Sequence, residues 1–383
     1  MSLLPALPSR AGLAAIGTQV HIGAVRTPQK SAVELVSGAR RTYADLHERT
    51  NRLAHALLAQ DLGRGDRVAV WLGNCLEYLD TYLACAKAGL VVVQINIRHK
   101  PAEARYQLED SGARALVFGD EVAHYVEELG LGDDLVLVTT GGERVGRSVD
   151  FEAFLAAGAD SMPAEPDDDD LLVIGYTSGT TGFPKGAELT HRSVKTLGQT
   201  NAITNRYAIA STQVFGLSLS FTAGIPAHVL THLYVGGTTI LLEDWDTELL
   251  VDTIERHAAT FTILPSPPIP EFCEIVGRDP RRVDSLVSLL HSSSKAPPEH
   301  LERGVGAGRR DPKSAQRPHL PRCAGPGGAR FGQFVSSSSP HRRRTQWSSR
   351  PNTRPSIRMP TPRMTIMTAR SPSASEISRA NWS

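Results

Sequence analysis

An α/β fold of layered, mostly parallel sheets with flanking helices is predicted by three features of this 383-residue chain. Short apolar runs recur without the polar alternation of a half-exposed strand, which is the pattern of strands covered on both faces. Segments with apolar residues at helical spacing lie between them. The order strand, crossover helix, strand then repeats from about residue 40 to about residue 300 and stops there.

Thr42 is placed to cap a helix whose apolar stripe is Leu46, Leu53, Leu57 and Leu58. After Gly63 and Gly65, Val68 to Leu72 reads as a buried strand. Cys75 to Lys87 reads as a helix ended by Gly89, and Leu90 to Ile97 as the next strand. Pro101 suits a first helical turn, and that helix stops at Gly112. Ala115 to Phe118 and Leu135 to Thr139 are further strands. Beyond the acidic run Asp167 to Asp170, Leu171 to Tyr176 is a strand that runs into a Gly/Thr loop and then a helix from Thr190 to about Arg206. Val214 to Leu219, Thr238 to Leu242 and Phe261 to Leu264 read as strands, with helices near Pro226 to Tyr234 and Glu248 to Ala258. Two subdomains are expected, 1–160 and 161–302, meeting in the polar stretch around 140–170.

The formal net charge of +1 hides a split. Residues 1–302 hold 25 Lys and Arg against 38 Asp and Glu, a net of −13; residues 303–383 hold 16 against 2, a net of +14. The second segment has 15 Arg, 13 Ser and 10 Pro in 81 positions but only 8 Leu, Ile, Val and Phe, too few to bury a core. Disorder is expected from about residue 303. A shifted reading frame near 302–305 accounts for the abrupt change in composition. A genuine basic tail, with Arg342, Arg343 and Arg344 beside Gln346 and Trp347, and a diverged C-terminal domain are the alternatives. Cys75, Cys85, Cys273 and Cys323 lack metal or redox spacing, no apolar run approaches the ~18 residues of a membrane span, and the start does not read as a signal peptide; a cytoplasmic location is expected.

Chemistry concentrates in Tyr176-Thr177-Ser178-Gly179-Thr180-Thr181-Gly182-Phe183-Pro184-Lys185-Gly186. Glycines let backbone N–H groups turn inward around a polyphosphate; Thr177, Ser178, Thr180 and Thr181 add hydroxyls, and Lys185 adds a compact positive charge. Gly186 follows Lys185, so the Gly-Lys-Ser/Thr order of a Walker A loop is not met. The plain alternative, an ordinary surface loop, does not explain eleven ordered positions after a buried strand.

This segment, with Thr190-His191 after it, resembles the signature loop of the adenylate-forming (AMP-binding) superfamily, which includes acyl-CoA synthetases. Arg41 to Leu46, Gly65 to Val70, Ala86 to Gly89, Leu217 to Gly237, Thr260 to Pro267 and Ser292 to Pro297 are similar to further family segments, so the likeness covers about residues 25–302. It implies the large N-terminal domain of that fold, incomplete, and a two-step reaction. A carboxylate attacks the α-phosphate of Mg-ATP and expels pyrophosphate, and the thiol of coenzyme A then takes the acyl group. The resemblance assigns Thr177, Ser178, Gly179, Thr180, Thr181, Gly182 and Lys185 to the phosphates of ATP, with Lys185 as the catalytic cation. It assigns Phe221 and Gly224 to the acyl pocket, and a fatty or other carboxylic acid, ATP, Mg²⁺ and coenzyme A as ligands. The family often has His where Phe221 stands, and Phe221 is either a pocket wall or core.

The family's aromatic-Gly-x-Thr-Glu segment, its ribose-gripping Thr-Gly-Asp segment and the small C-terminal domain with its lysine find no match after Ser293; Thr247-Glu248 lies too early, and Lys313 sits in an unrelated context. Two functions are therefore carried: an acyl-CoA synthetase impaired by the change after residue 302, and a noncatalytic nucleotide- or acyl-binding protein. A nucleic-acid partner is not expected, and the oligomeric state is open. His228 and His232, four residues apart, and Trp71 and Trp245 are expected to pack rather than bind; Asp167 to Asp170 is expected to be a solvated run.

Overall fold

A computed structural model describes residues 15–142, 144–177, 184–292 and 330–333. The described elements run α1 (Ile16–Arg26), β1 (Ser31–Leu35), β2 (Arg40–Thr42), α2 (Tyr43–Leu58), β3 (Arg67–Trp71), α3 (Leu76–Ala88), β4 (Val91–Gln94), α4 (Pro101–Ser111), β5 (Ala115–Phe118), α5 (Asp120–Leu129), β6 (Val136–Thr139), β7 (Val149–Asp150) and α6 (Phe151–Ala156). They continue with β8 (Leu171–Thr177), β9 (Lys185–Thr190), α7 (His191–Thr204), β10 (Thr212–Phe215), a π-helical turn (Ile225–Val229), α8 (Leu230–Val235), β11 (Thr238–Leu241), α9 (Thr247–Arg256), β12 (Phe261–Pro265), α10 (Ile269–Arg278), β13 (Ser288–Ser292) and β14 (Arg330–Gln333).

The expected α/β architecture is present. Two seven-stranded sheets form, one ordered β14-β13-β12-β10-β11-β1-β2 and the other β7-β6-β5-β3-β4-β8-β9. Pairing is parallel throughout except at one edge of each sheet, where β2 runs antiparallel to β1 and β9 to β8. Val91 to Val93 and Ala115 to Phe118 are wholly buried, as strands covered on both faces must be. The sheets do not divide at 160/161: β1 and β2 belong with β10 to β14, and β8 and β9 belong with β3 to β7. All described residues fall within one compact unit.

The local signals act as chemistry requires. Thr42 caps α2 through a reciprocal box with Asp45, Oγ1 accepting from the Asp45 N–H at 3.1 Å and the Asp45 carboxylate accepting from the Thr42 N–H at 3.0 Å. Gly89 and Gly112 end α3 and α4 with φ of +69° and +59°, the left-handed region that favours glycine.

Four expectations are corrected. The segment after β8 does not lead straight into a helix: β9 intervenes, making a hairpin, and α7 starts only at His191. β9 reads Lys-Gly-Ala-Glu-Leu-Thr and is exposed over its first four residues, so it lacks the apolar signature that marks the covered strands. The strand expected at Val214 to Leu219 ends at Phe215, and 216–224 is a loop. The helix expected from Pro226 opens as a π-helical turn and becomes α-helical only at Leu230. Of the segment expected to be disordered, Arg330–Gln333 form β14 beside β13, and the remainder of 303–383 lies outside the described residues. The short α1, β1, β2, α5, α6 and β7 have no counterpart in the sequence-based reading.

Packing explains the buried polar groups. His228 stacks on Phe261 at 6.2 Å, and His232 lies 4.3 Å from the ring of Tyr207. Burial pulls the two imidazoles down to about 4 and about 3, so both are neutral packing groups, as expected. Trp71 is fully buried and donates Nε1–H to the Asn96 carbonyl at 3.1 Å. Lys87 is buried without a carboxylate; its Nζ donates to Asn51 Oδ1 at 2.7 Å, to the His47 carbonyl at 3.0 Å and to His47 Nδ1 at 3.1 Å. Three donors meet three acceptors, although burial still pulls the ammonium down to about 7.

Candidate active site

The motif predicted to grip phosphates leaves β8 at Thr177 and returns at Lys185, and these two residues are direct cross-strand partners in the β8–β9 ladder. Thr177 Oγ1 donates to the Lys185 carbonyl at 3.5 Å. Ser178, Gly179, Thr180, Thr181 and Gly182 lie outside the described residues. Lys185 is exposed, and its ammonium has no partner among the described residues. An edge hairpin thus presents a solvated lysine at its mouth, at the carboxyl end of β8.

Two tyrosines of the neighbouring helix layer and strand hold the stems. Tyr176 donates its hydroxyl to Asp110 Oδ2 at 2.6 Å, and Tyr106 donates to the Pro184 carbonyl at 3.0 Å. Their rings meet edge to face at 6.2 Å and 74°. Burial and the Asp110 carboxylate push the Tyr176 phenol well above its ordinary range, so it stays a donor.

The 216–224 loop lies over the carboxyl ends of β3, β4 and β8. Strand order reverses at β3, with β4 on one side of it and β5 on the other, so the switch falls between β3 and β5, and open sheets bind ligands outside such a reversal. Here the chain's own loop is fastened beside it. Asn74, just past β3, donates to the Leu217 carbonyl at 3.0 Å and the Leu242 carbonyl at 2.8 Å, and accepts from the Leu219 N–H at 2.8 Å. Gln94, at the end of β4, donates to the Leu219 carbonyl at 2.8 Å. Gly175 of β8 faces Thr222 so closely that a Cβ would lie 2.1 Å from its methyl.

This loop carries both residues assigned to the acyl pocket. Phe221 is 56% exposed, which rules out the core alternative. Gly224 is enclosed, with Ser218 O 3.1 Å and the Phe215 ring 3.4 Å from where a Cβ would stand. The π-helical turn begins at the next residue; such turns interrupt helices most often near functional sites. The contact of Gly175 with Thr222 therefore brings the phosphate hairpin and the Phe221 loop to one end of β8.

The acidic run is paired rather than merely solvated. Asp167 and Asp170 meet Arg64 at 2.7 Å and 2.6 Å, Asp168 meets Lys195 at 2.5 Å, and Asp169 meets Arg192 at 2.8 Å. His191 is buried beside them with neither ring nitrogen bonded among the described residues, and burial pulls it down to about 4. Among the described residues no three His, Cys, Asp or Glu side chains are grouped to hold a metal, so none is assigned to Mg²⁺. Asn74, Gln94, Tyr106 and Asp110 were missed in the sequence; the available signal was an amide at or just beyond the end of each of two consecutive apolar runs.

Comparison with known proteins gives the family. The family model described as AMP-binding enzyme matches residues 21–310. A feruloyl-CoA synthase from Amycolatopsis is 32% identical over 293 residues, covering 73% of this chain and 55% of that protein. A long-chain-fatty-acid–CoA ligase from Mycobacterium tuberculosis is 30% identical over 271 residues, covering 69% and 53%. Among solved structures, the N-terminal domain of FACL13 from M. tuberculosis superposes with a TM-score of 0.68 at 23% identity, covering 76% of this chain and 73% of that one. A long-chain-fatty-acid-CoA ligase from Archaeoglobus fulgidus gives 0.68 at 20%, covering 76% and 60%; both likenesses are of fold. The chain spans about half the length of the relatives it matches.

Proposed function

Because this chain belongs to the AMP-binding enzyme family, we propose that it binds ATP at the β8–β9 hairpin and a carboxylic acid beside the 216–224 loop, the arrangement that acyl-adenylate formation requires. One observation carries the reading: Lys185, exposed and without a partner among the described residues, stands at the mouth of the motif, and Gly175 joins that hairpin to the loop of Phe221. In the proposed reaction the acid's carboxylate oxygen attacks the α-phosphorus and pyrophosphate departs. Lys185 neutralises charge on the departing group, with the motif's amides and hydroxyls at Thr177, Ser178, Gly179, Thr180, Thr181 and Gly182 as further donors. Mg²⁺ would screen the triphosphate, and coenzyme A would take the acyl group as a thioester. Phe221 forms an exposed apolar wall for the acyl chain, and Gly224 lets the loop pack closely behind it.

The acid is aromatic or aliphatic, the two classes named among the relatives. Residues 303–383 share none of the family's later segments, so turnover by this chain is proposed to be slight or nil. Among the described residues no helix is long and apolar enough to cross a membrane; a cytoplasmic site of action is part of the proposal.

Calorimetry with Mg-ATP, followed by pyrophosphate exchange with hydroxycinnamic and long-chain acids, tests the proposal. Binding of ATP with weak exchange is the expected result. Binding of acid and nucleotide with no exchange at all selects the noncatalytic alternative. No binding of ATP overturns the synthetase reading, and no binding of ATP or acid overturns both.

A further inference from the structure

We propose that Tyr106 and Asp110 of α4 are positioning residues for the phosphate motif, holding its two stems at the spacing that nucleotide binding needs. The inference rests on the reading above. It follows from how little else holds the hairpin. β9 is an edge strand, bonded on one side only to β8, and Lys185 to Glu188 are exposed. A hairpin held by one ladder can splay at its mouth, because the last pairs of a ladder open at little cost.

α4 touches both stems of the mouth. On the outgoing stem, Tyr176 donates to the Asp110 carboxylate at 2.6 Å, a charge-assisted bond. On the returning stem, Pro184 has no N–H, so its carbonyl is its only backbone hydrogen-bonding group, and Tyr106 donates to it at 3.0 Å. The edge-to-face contact of Tyr106 with Tyr176 joins the two holds. The base is itself fixed: Arg67 of β3 donates Nε–H to the Ser111 carbonyl and an Nη2–H to the Gly112 carbonyl, each at 2.6 Å, fastening the end of α4 to the central strand. The path from β3 through Arg67, α4 and the two hydroxyl bonds thus sets where the motif leaves and re-enters the sheet.

Four proteins test this: wild type, Tyr106→Phe, Asp110→Ala and Asp110→Asn. Hydrogen exchange across residues 171–190 is measured without ligand, and calorimetry then compares ATP with AMP. Tyr106→Phe and Asp110→Ala should speed exchange of the β8 and β9 amides nearest the mouth about 5- to 10-fold, and should weaken ATP by a similar factor, with AMP and the melting temperature little changed. Asp110→Asn keeps an acceptor for Tyr176 and should restore most of both. Unchanged exchange in Tyr106→Phe and Asp110→Ala overturns the proposal, and so does an equal loss of ATP and AMP, which marks general damage. Failure of the wild type to bind ATP refutes the function instead, and the exchange measurement still decides whether α4 holds the stems.

Discussion

The two loops that meet at the end of β8 are held in opposite ways. The 216–224 loop is fastened from beneath by side-chain amides: Asn74 makes three bonds to the loop and its neighbour Leu242, and Gln94 a fourth. The phosphate motif belongs to an edge hairpin with an exposed returning strand, and its mouth is tied to the neighbouring helix layer by two phenol hydroxyls. A loop that shapes a pocket gains from rigidity. A loop that must close its amides around a polyphosphate gains from fixed ends and adjustable middle residues.

Acid gives the largest test of this contrast. His228 and His232 pack on β10 and β12 through Phe215 and Phe261, and His191 begins α7. Unfolded histidines bind a proton below about 6.5, whereas in the fold these bind only below about 4, or about 3 for His232. Between those values the unfolded chain holds more protons, so stability falls as pH drops, by up to about 4 kcal/mol per pH unit for three sites. Hydrogen exchange at pH 4.5 should show amides of β10 and β12, on which His228 and His232 pack, losing protection before those of β3 and β5. Simultaneous loss would erase the contrast.

Asn74→Ala comes next. It orphans two carbonyls and an N–H at once, and should cost about 3 kcal/mol in a denaturant titration while loosening 216–224. Lys185→Ala is the smallest in stability and the sharpest in function. The side chain is exposed and unpartnered among the described residues, so the melting temperature should stay within about 1 °C, while calorimetry shows ATP weakened about 10-fold or more.

How much of this was legible follows the same division. Strands covered on both faces announce themselves: Val91 to Val93 and Ala115 to Phe118 need no partner to be recognised. Thr42, Gly89 and Gly112 act within one helical turn, so their signals are local too. The motif at 176–186 was picked out by its residue types and a family resemblance, and the comparison shows that family over residues 21–310. β9 was not, because an edge strand with one bonded neighbour tolerates Lys, Gly and Glu and carries no apolar pattern. Nor was the role of Asn74 or Tyr106, since each bonds to a residue 78 or more positions away and nothing in its own neighbourhood encodes the partner.

The interleaving of the two sheets sets an order of assembly. β1 pairs with β11 by matching Val33 to Thr239, a separation of 206 residues, while β3, β4 and β5 find one another within about 50. During synthesis at about 5–20 residues per second, β1 therefore waits roughly 10–40 s for its parallel neighbour, long after the other sheet can begin to pair. A nascent chain halted near residue 160 would leave one edge of β1 open, with Ala32, Val33 and Leu35 exposed beside β2, which makes this early segment the natural foothold for a chaperone.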